Sequence, residues 1–509
     1  MLPIDLFYRS AAHNPERVAI ETNDVCVSYA ELVRWVDAVA AGIQASDPTP
    51  GGRVAISAHN TVEHLIAMLA TLAAGRTWLA LNPRNGRAEL DAFLAAARPS
   101  LVIADEDCLD RFSPTDAVHI LGRTEAPSTA GDTLAGLIDR FAGKRPARAE
   151  PDLSALQAMK MTGGSTGRPK IVMQSYRCWN AVAVSQITAL GLAADERMLL
   201  AAPLTHGTGQ YVLPTLAQGG TLLPLVQPRP ADVLEALAGR GATAVFLPPT
   251  LIYMMLAEPG AADAAYPALR HLIYAGAPMR TEAIRRARAV FNGSLETSYG
   301  QAEAPQIMAF QSAAEFADER NLDAVGRPTI LTRLAIVAAD GRLLETGEEG
   351  EIVARGDLLM SGYLDDAQAT AATIKDGWLH TGDLGAFDEW GRLFIKGRSK
   401  DIIITGGFNV FPTDVETALG RHPAVRDCVV FGVADEKWGE RIEAAVELKD
   451  GTAPTPEALI AFVKAELDSV KAPKAVHILA SLPRSPVGKV QRREAKAAIH
   501  GAGGDTQVV

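Results

Sequence analysis

Residues Arg53–Leu81 read RVAISAHNTVEHLIAMLATLAAGRTWLAL. VAIS (Val54–Ser57) is a short, continuous apolar run, as a strand covered on both faces requires. After Asn60 the apolar residues recur at helical spacing until Gly75, which ends the helix. WLAL (Trp78–Leu81) is a second buried strand. Strand, helix and strand in about thirty residues form the unit that builds a parallel sheet.

The same pattern extends in both directions. Upstream, Ser28-Tyr29-Ala30-Glu31 is a capping-box pattern, predicting an amphipathic helix through Ile43. Downstream, Ala88–Ala97 reads as a helix and LVIA (Leu101–Ala104) as a strand. Thr124–Leu153 is polar and rich in Pro, Gly and Ala, so part of it is expected to be a surface connection. A second α/β run follows: VFL (Val245–Leu247), HLIYA (His271–Ala275), then a helix through Arg285 and Val290. From Ala324 to Phe394 short strands and turns dominate. After Arg398 the order is helix (Asp414–Gly420), strand (Cys428–Val433), strand (Ala444–Leu448), helix (Pro456–Leu467) and strand (Val476–Leu479). The tail HGAGGDTQVV is expected to be disordered.

The 509 residues suffice for two or three domains, with 48% hydrophobic and 21% charged residues. A net charge of −11 without a basic run argues against nucleic acid as the main partner. No secretory signal is expected at the N-terminus, and no apolar stretch is long enough to span a bilayer. Cys26, Cys108, Cys178 and Cys428 form no disulfide framework or zinc spacing. These features fit a reduced cytoplasm.

MTGGSTGRPK (Met161–Lys170) is a phosphate-loop candidate. Its glycines expose backbone N–H groups, and Thr162, Ser165 and Thr166 add hydroxyl donors. It is neither a P-loop, because Lys170 follows Pro169 and precedes Ile171, nor a GxGxxG fingerprint.

Four further motifs follow in order. They are SYGQAEAP (Ser298–Pro305), WLHTGDLG (Trp378–Gly385), GRSKDIIITGGFNVFP (Gly397–Pro412) and PRSPVGKVQRR (Pro483–Arg493). Together with the loop they resemble the adenylate-forming superfamily, in its acyl-CoA ligase branch, from VSYAEL at Val27 to Lys489. The resemblance implies an α/β fold: residues 1–399 as a large AMP-binding domain of doubly wound sheets with a small β-rich subdomain, and residues 400–509 as a small mobile α+β domain hinged at Lys400.

It also implies roles. ATP, Mg2+ and coenzyme A would be required. Thr162, Gly163, Gly164, Ser165, Thr166, Gly167 and Lys170 would hold the β- and γ-phosphates. Glu303 would ligate magnesium. Tyr299, between Ser298 and Gly300-Gln301, would stack on adenine, flanked by Gly276-Ala277-Pro278. Asp383 and Arg398 would hold the ribose, an ionised Asp being an acceptor suited to a diol. Lys489 would be the principal catalytic cation, neutralising charge where carboxylate meets α-phosphate. Gly406 and Gly407 would pass the pantetheine arm of CoA in a second pose. The chain departs from the family's pattern at Ala302, where threonine is usual.

The acyl pocket should draw on Pro203–Leu213, Val245–Met255 and the stretches around YAGAP and SYGQA. Only His206 and tyrosines titrate there, and His206 would orient the carboxylate. A pocket without fixed charge implies an apolar monocarboxylic acid, foremost a medium- or long-chain fatty acid, with aromatic or alicyclic acids as the alternative. Loading of a carrier protein is an alternative acceptor chemistry, and a homodimer is allowed.

Overall fold

The computed structural model describes residues 1–112, 118–120, 133–148, 152–162, 170–485, 488 and 490–501. Two large sheets share the first part of the chain. In the seven-stranded sheet, Arg53–Ser57 pairs in parallel with Thr77–Leu81 and Leu101–Ala104. Leu156–Thr162 joins in parallel beside Thr77–Leu81, then turns back antiparallel into Lys170–Ser175. The nine-stranded sheet places Arg197–Leu200, Ala244–Leu247, His271–Tyr274 and Leu295–Tyr299 side by side in parallel. Helices Tyr29–Ser46, Val62–Ala73 and Tyr176–Leu190 contribute to the largest apolar core, which draws residues from both sheets.

Local chemistry explains the boundaries. Ser28 and Glu31 form the expected capping box: the Ser28 backbone N–H donates to Glu31 at 3.0 Å, and the Glu31 N–H donates to Ser28 Oγ at 3.2 Å. A third, all-antiparallel sheet contains Gly350–Gly356, Trp378–Phe387 and Leu393–Arg398. The fourth sheet uses only strands after Lys400. Val425–Asp435 pairs with Gly439–Leu448, which Ala475–Leu479 joins in parallel. No described helix is long and apolar enough to cross a membrane.

Three differences from the sequence reading have physical causes. The connection around Thr124–Leu153 contains a helix, Leu134–Arg140, whose first turn is capped by Thr133 and whose Leu134 and Leu137 are buried. Pro3–His13 is a helix that buries Phe7. The third concerns the stretch after Lys489, to which the sequence reading gave no element. Arg492–His500 is a helix, and Arg492 pairs with Asp401 at 2.5 Å and Glu416 at 2.9 Å. Of the expected disordered tail, His500 is the last helical residue and bonds Glu443 at 2.7 Å. Residues 502–509 lie outside the described residues.

Candidate active site

Strand Leu295–Tyr299 delivers the first site residues. At Gly300 the chain folds back so tightly that a Cβ would lie 2.6 Å from the Gln306 backbone, so glycine is required there. Met308 N–H donates to Tyr299 O at 2.7 Å, and Gln301 and Ala304 exchange backbone bonds. This loop aims Tyr299 and Gln301 toward the third sheet.

There they meet Asp383, which is buried. Its Oδ2 accepts from Tyr299 Oη and from Gln301 Nε2, each at 2.7 Å. Its Oδ1 accepts from Arg398 Nε at 3.1 Å, across the strand pairing that puts Asp383 opposite Arg398. Four of the sequence-predicted residues, spread over a hundred positions, thus share one carboxylate. Burial first, and the Asp383 charge second, push the Tyr299 phenol far above its ordinary pKa, so it stays a donor.

Glu303 is half-buried, and Tyr363 Oη donates to its Oε1 at 2.8 Å. Lys170 Nζ lies over the Tyr363 ring at 4.6 Å. Tyr363 therefore links the end of the phosphate loop to the predicted metal ligand, and the sequence reading did not include it. A cleft of about 280 Å³ opens beside Gln301, Glu303, Tyr363, Thr381 and Gly382. Among the described residues, Glu303 Oε2 accepts no hydrogen bond, so a hard-cation oxygen donor is available. The Ala302 carbonyl accepts from Gln174 Nε2 at 2.9 Å.

Thr162 and Lys170 are paired across the antiparallel strands and bracket the loop. Gly163, Gly164, Ser165, Thr166 and Gly167 lie outside the described residues, as does Lys489. Its neighbour Gly488 is described: a Cβ there would lie 2.7 Å from Thr250 Oγ1. The C-terminal part of the chain thus touches helix Pro249–Ala257 beside the expected acyl pocket. Gly276 and Pro278 are exposed just beyond strand His271–Tyr274, with Gly276 at φ +85°. Ser298 is buried, and its Oγ has no partner among the described residues. Gly406 and Gly407 are exposed, away from this cluster and next to Trp438. Lys400 is exposed, and partial desolvation, then the Arg398 charge, lowers its pKa.

On the acyl side, the His206 ring presents open surface although protein atoms crowd around it. The two facts agree for a side chain facing a crevice. Desolvation there, with the Lys160 charge second, lowers its pKa to about 4, so the ring is neutral. Gly207 lies against Phe246, where a Cβ would meet the ring edge at 2.5 Å. Phe246 stacks on Tyr211 at 5.3 Å.

Lys160 is the second residue that the sequence reading missed. Its Nζ donates to the His206 carbonyl at 3.2 Å. It lies outside the three stretches from which the acyl pocket was expected to be drawn. The available signal was one lysine inside the otherwise uncharged strand LQAMKMT.

Comparison with known proteins completes the description. Residues 7–364 match the AMP-binding enzyme family, and residues 414–489 match the AMP-binding enzyme C-terminal domain. A feruloyl-CoA synthase of Amycolatopsis sp is 34% identical over 499 residues, covering 96% of this chain and 97% of that one. A medium/long-chain-fatty-acid–CoA ligase of Mycobacterium tuberculosis is 37% identical over 354 residues, 67% of this chain and 61% of that one. The structure of an amide bond synthetase from Marinactinospora thermotolerans superimposes with a TM-score of 0.87 at 30% identity, covering 97% of this chain and 99% of that one.

Proposed function

This chain belongs to the AMP-binding enzyme family, in its CoA ligase branch, and we propose that the acid it activates is an aromatic or alicyclic carboxylic acid. It is an acid–thiol ligase that uses ATP and CoA. The observation carrying the substrate reading is Phe246, 8% exposed and stacked on the buried Tyr211, with its ring edge against Gly207 beside the exposed residue His206. Flat aromatic walls gain most from a flat ring. A fatty acid is the second reading, supported by the similarity to a fatty-acid ligase.

The proposed chemistry follows from charge. An acid carboxylate attacks the α-phosphate of ATP, pyrophosphate leaves, and the acyl-adenylate forms. Asp383 receives the ribose hydroxyls, its orientation set by Tyr299, Gln301 and Arg398. Glu303 would hold magnesium, which offsets phosphate charge when bound. Lys489 neutralises the converging anions. The approach of Gly488 to Thr250 supports a pose that serves this first step. The exposed Gly406-Gly407 turn is then free to serve the second, after rotation about Lys400. In that step the CoA thiol attacks the acyl carbonyl and AMP leaves.

The test is turnover of a panel of aromatic, alicyclic and fatty acids with ATP and magnesium, with and without CoA. AMP and acyl-CoA should form, fastest with a ring-bearing acid. Fatty acids turning over faster than every ring-bearing acid would overturn the substrate reading.

A further inference from the structure

Lys160 has a feature that the ligase chemistry above does not use. Strand residues two apart share a face, and Ala158, on the face of Lys160, packs in the largest apolar core. Lys160 follows it there, at 9% exposure. The ammonium lies 5.3 Å from the Trp78 ring centroid and 5.8 Å from that of Trp179, whose rings meet edge-on at 6.0 Å. Among the described residues its one hydrogen bond goes to the His206 carbonyl. An ammonium has three donors. No carboxylate pairs with it among the described residues. The Trp78 indole N–H is fully buried and also lacks an acceptor among the described residues.

A buried cation without a counter-ion costs several kcal/mol, and cation–π contact returns only about 2 kcal/mol. Methionine would fill the same space without that cost. Unused donors of the ammonium, beside the exposed residue His206, instead ask for an acceptor brought from outside.

We propose that Lys160 is a specificity-determining residue of the acyl pocket: together with the Trp78 indole it receives a hydrogen-bond acceptor on the tail of the acid, a hydroxyl, carbonyl or carboxylate oxygen remote from the carboxylate being activated. This rests on the ligase reading and narrows its substrate class to ring acids with an acceptor on the tail. Desolvation lowers the Lys160 pKa to about 7, and the titratable groups facing it are His206 and Cys178. An acceptor arriving there restores the charged form.

The experiment compares phenylpropanoate with its para-hydroxy and para-carboxy derivatives, in the wild-type protein and in Lys160→Met. The wild type should prefer a substituted acid in kcat/KM by about 10–100-fold, the range for a hydrogen bond to a charged group. Lys160→Met should erase that preference by raising KM for the substituted acid, with KM for ATP unchanged. No preference in the wild type, or equal losses for all three acids in the variant, would overturn the proposal. Absence of AMP with every acid would instead sink the ligase reading. Calorimetric binding of the same acids to the unliganded protein reads the Lys160 contrast even in that case.

Discussion

Asp383 and Lys160 are both buried charges, one on each side of the site, and they are treated in opposite ways. Asp383 is a buried acceptor met by three donors, from Tyr299, Gln301 and Arg398. Its position is set before any ligand arrives. Lys160 is a buried donor met by one backbone carbonyl and two indole rings. The first arrangement suits a partner that never changes, the nucleotide. The second leaves valence for a partner that differs from one relative to the next, the acid.

The strongest way to break this contrast is to remove chemistry from both sides at once. Lys489→Ala should lower kcat for AMP formation by about 100–1,000-fold, the usual loss for one positioned charge-stabilising group. ATP binding should survive, as equilibrium dialysis would show. Unimpaired turnover would mean that the cation is supplied elsewhere.

Next in size is Asp383→Ala. It strips three donors of their acceptor at a cost of about 1–3 kcal/mol for each that stays buried. The melting temperature should fall and KM for ATP should rise, while the ranking of acids stays the same. A changed ranking would erase the division between the two sides.

Lys160→Met should do the reverse. Replacing a poorly paired buried charge by an apolar group is neutral or stabilising by about 1–4 kcal/mol. The pH dependence has a definite sign. Unfolded, the lysine titrates near 10.5, and folded near 7. Between these values the unfolded chain holds a proton that the folded chain lacks, so wild-type stability rises with pH across that window. Below about 7 both states are protonated and the burial penalty is complete. Denaturant titrations across this window should lose that slope in Lys160→Met. An unchanged slope would place the ammonium in a solvated setting.

Ala302→Thr gives the smallest effect. The Ala302 carbonyl is already held by Gln174, so the backbone need not move. One added hydroxyl toward the phosphates should lower KM for ATP by up to about fivefold, the worth of about 1 kcal/mol. A rise in KM would mean that the side chain points away from the nucleotide.

The two sides also differ in how far they can be read without coordinates. Tyr299, Gln301, Asp383 and Arg398 sit in motifs whose residue types and order carry the resemblance, and the fold brings them to one carboxylate. The strand–helix alternation from Ser28 to Ala104 was equally legible, because apolar periodicity and capping are local. Lys160 was not. A lysine in a strand says nothing of what faces it, and only the packing of Trp78 and Trp179 makes it an interior group. Tyr363 escaped for a related reason: its partner Glu303 lies sixty residues away, on a loop from another sheet. Arg492 pairs with Asp401 and Glu416, ninety-one and seventy-six positions upstream, a contact that no local pattern encodes.

The most direct measurement of the central claim follows an acid labelled with heavy oxygen in its carboxylate through a turnover with ATP and CoA. Attack on the α-phosphate transfers one labelled oxygen to AMP, and mass spectrometry should find it there, with none in pyrophosphate. Label in inorganic phosphate, with ADP as the nucleotide product, would contradict the account.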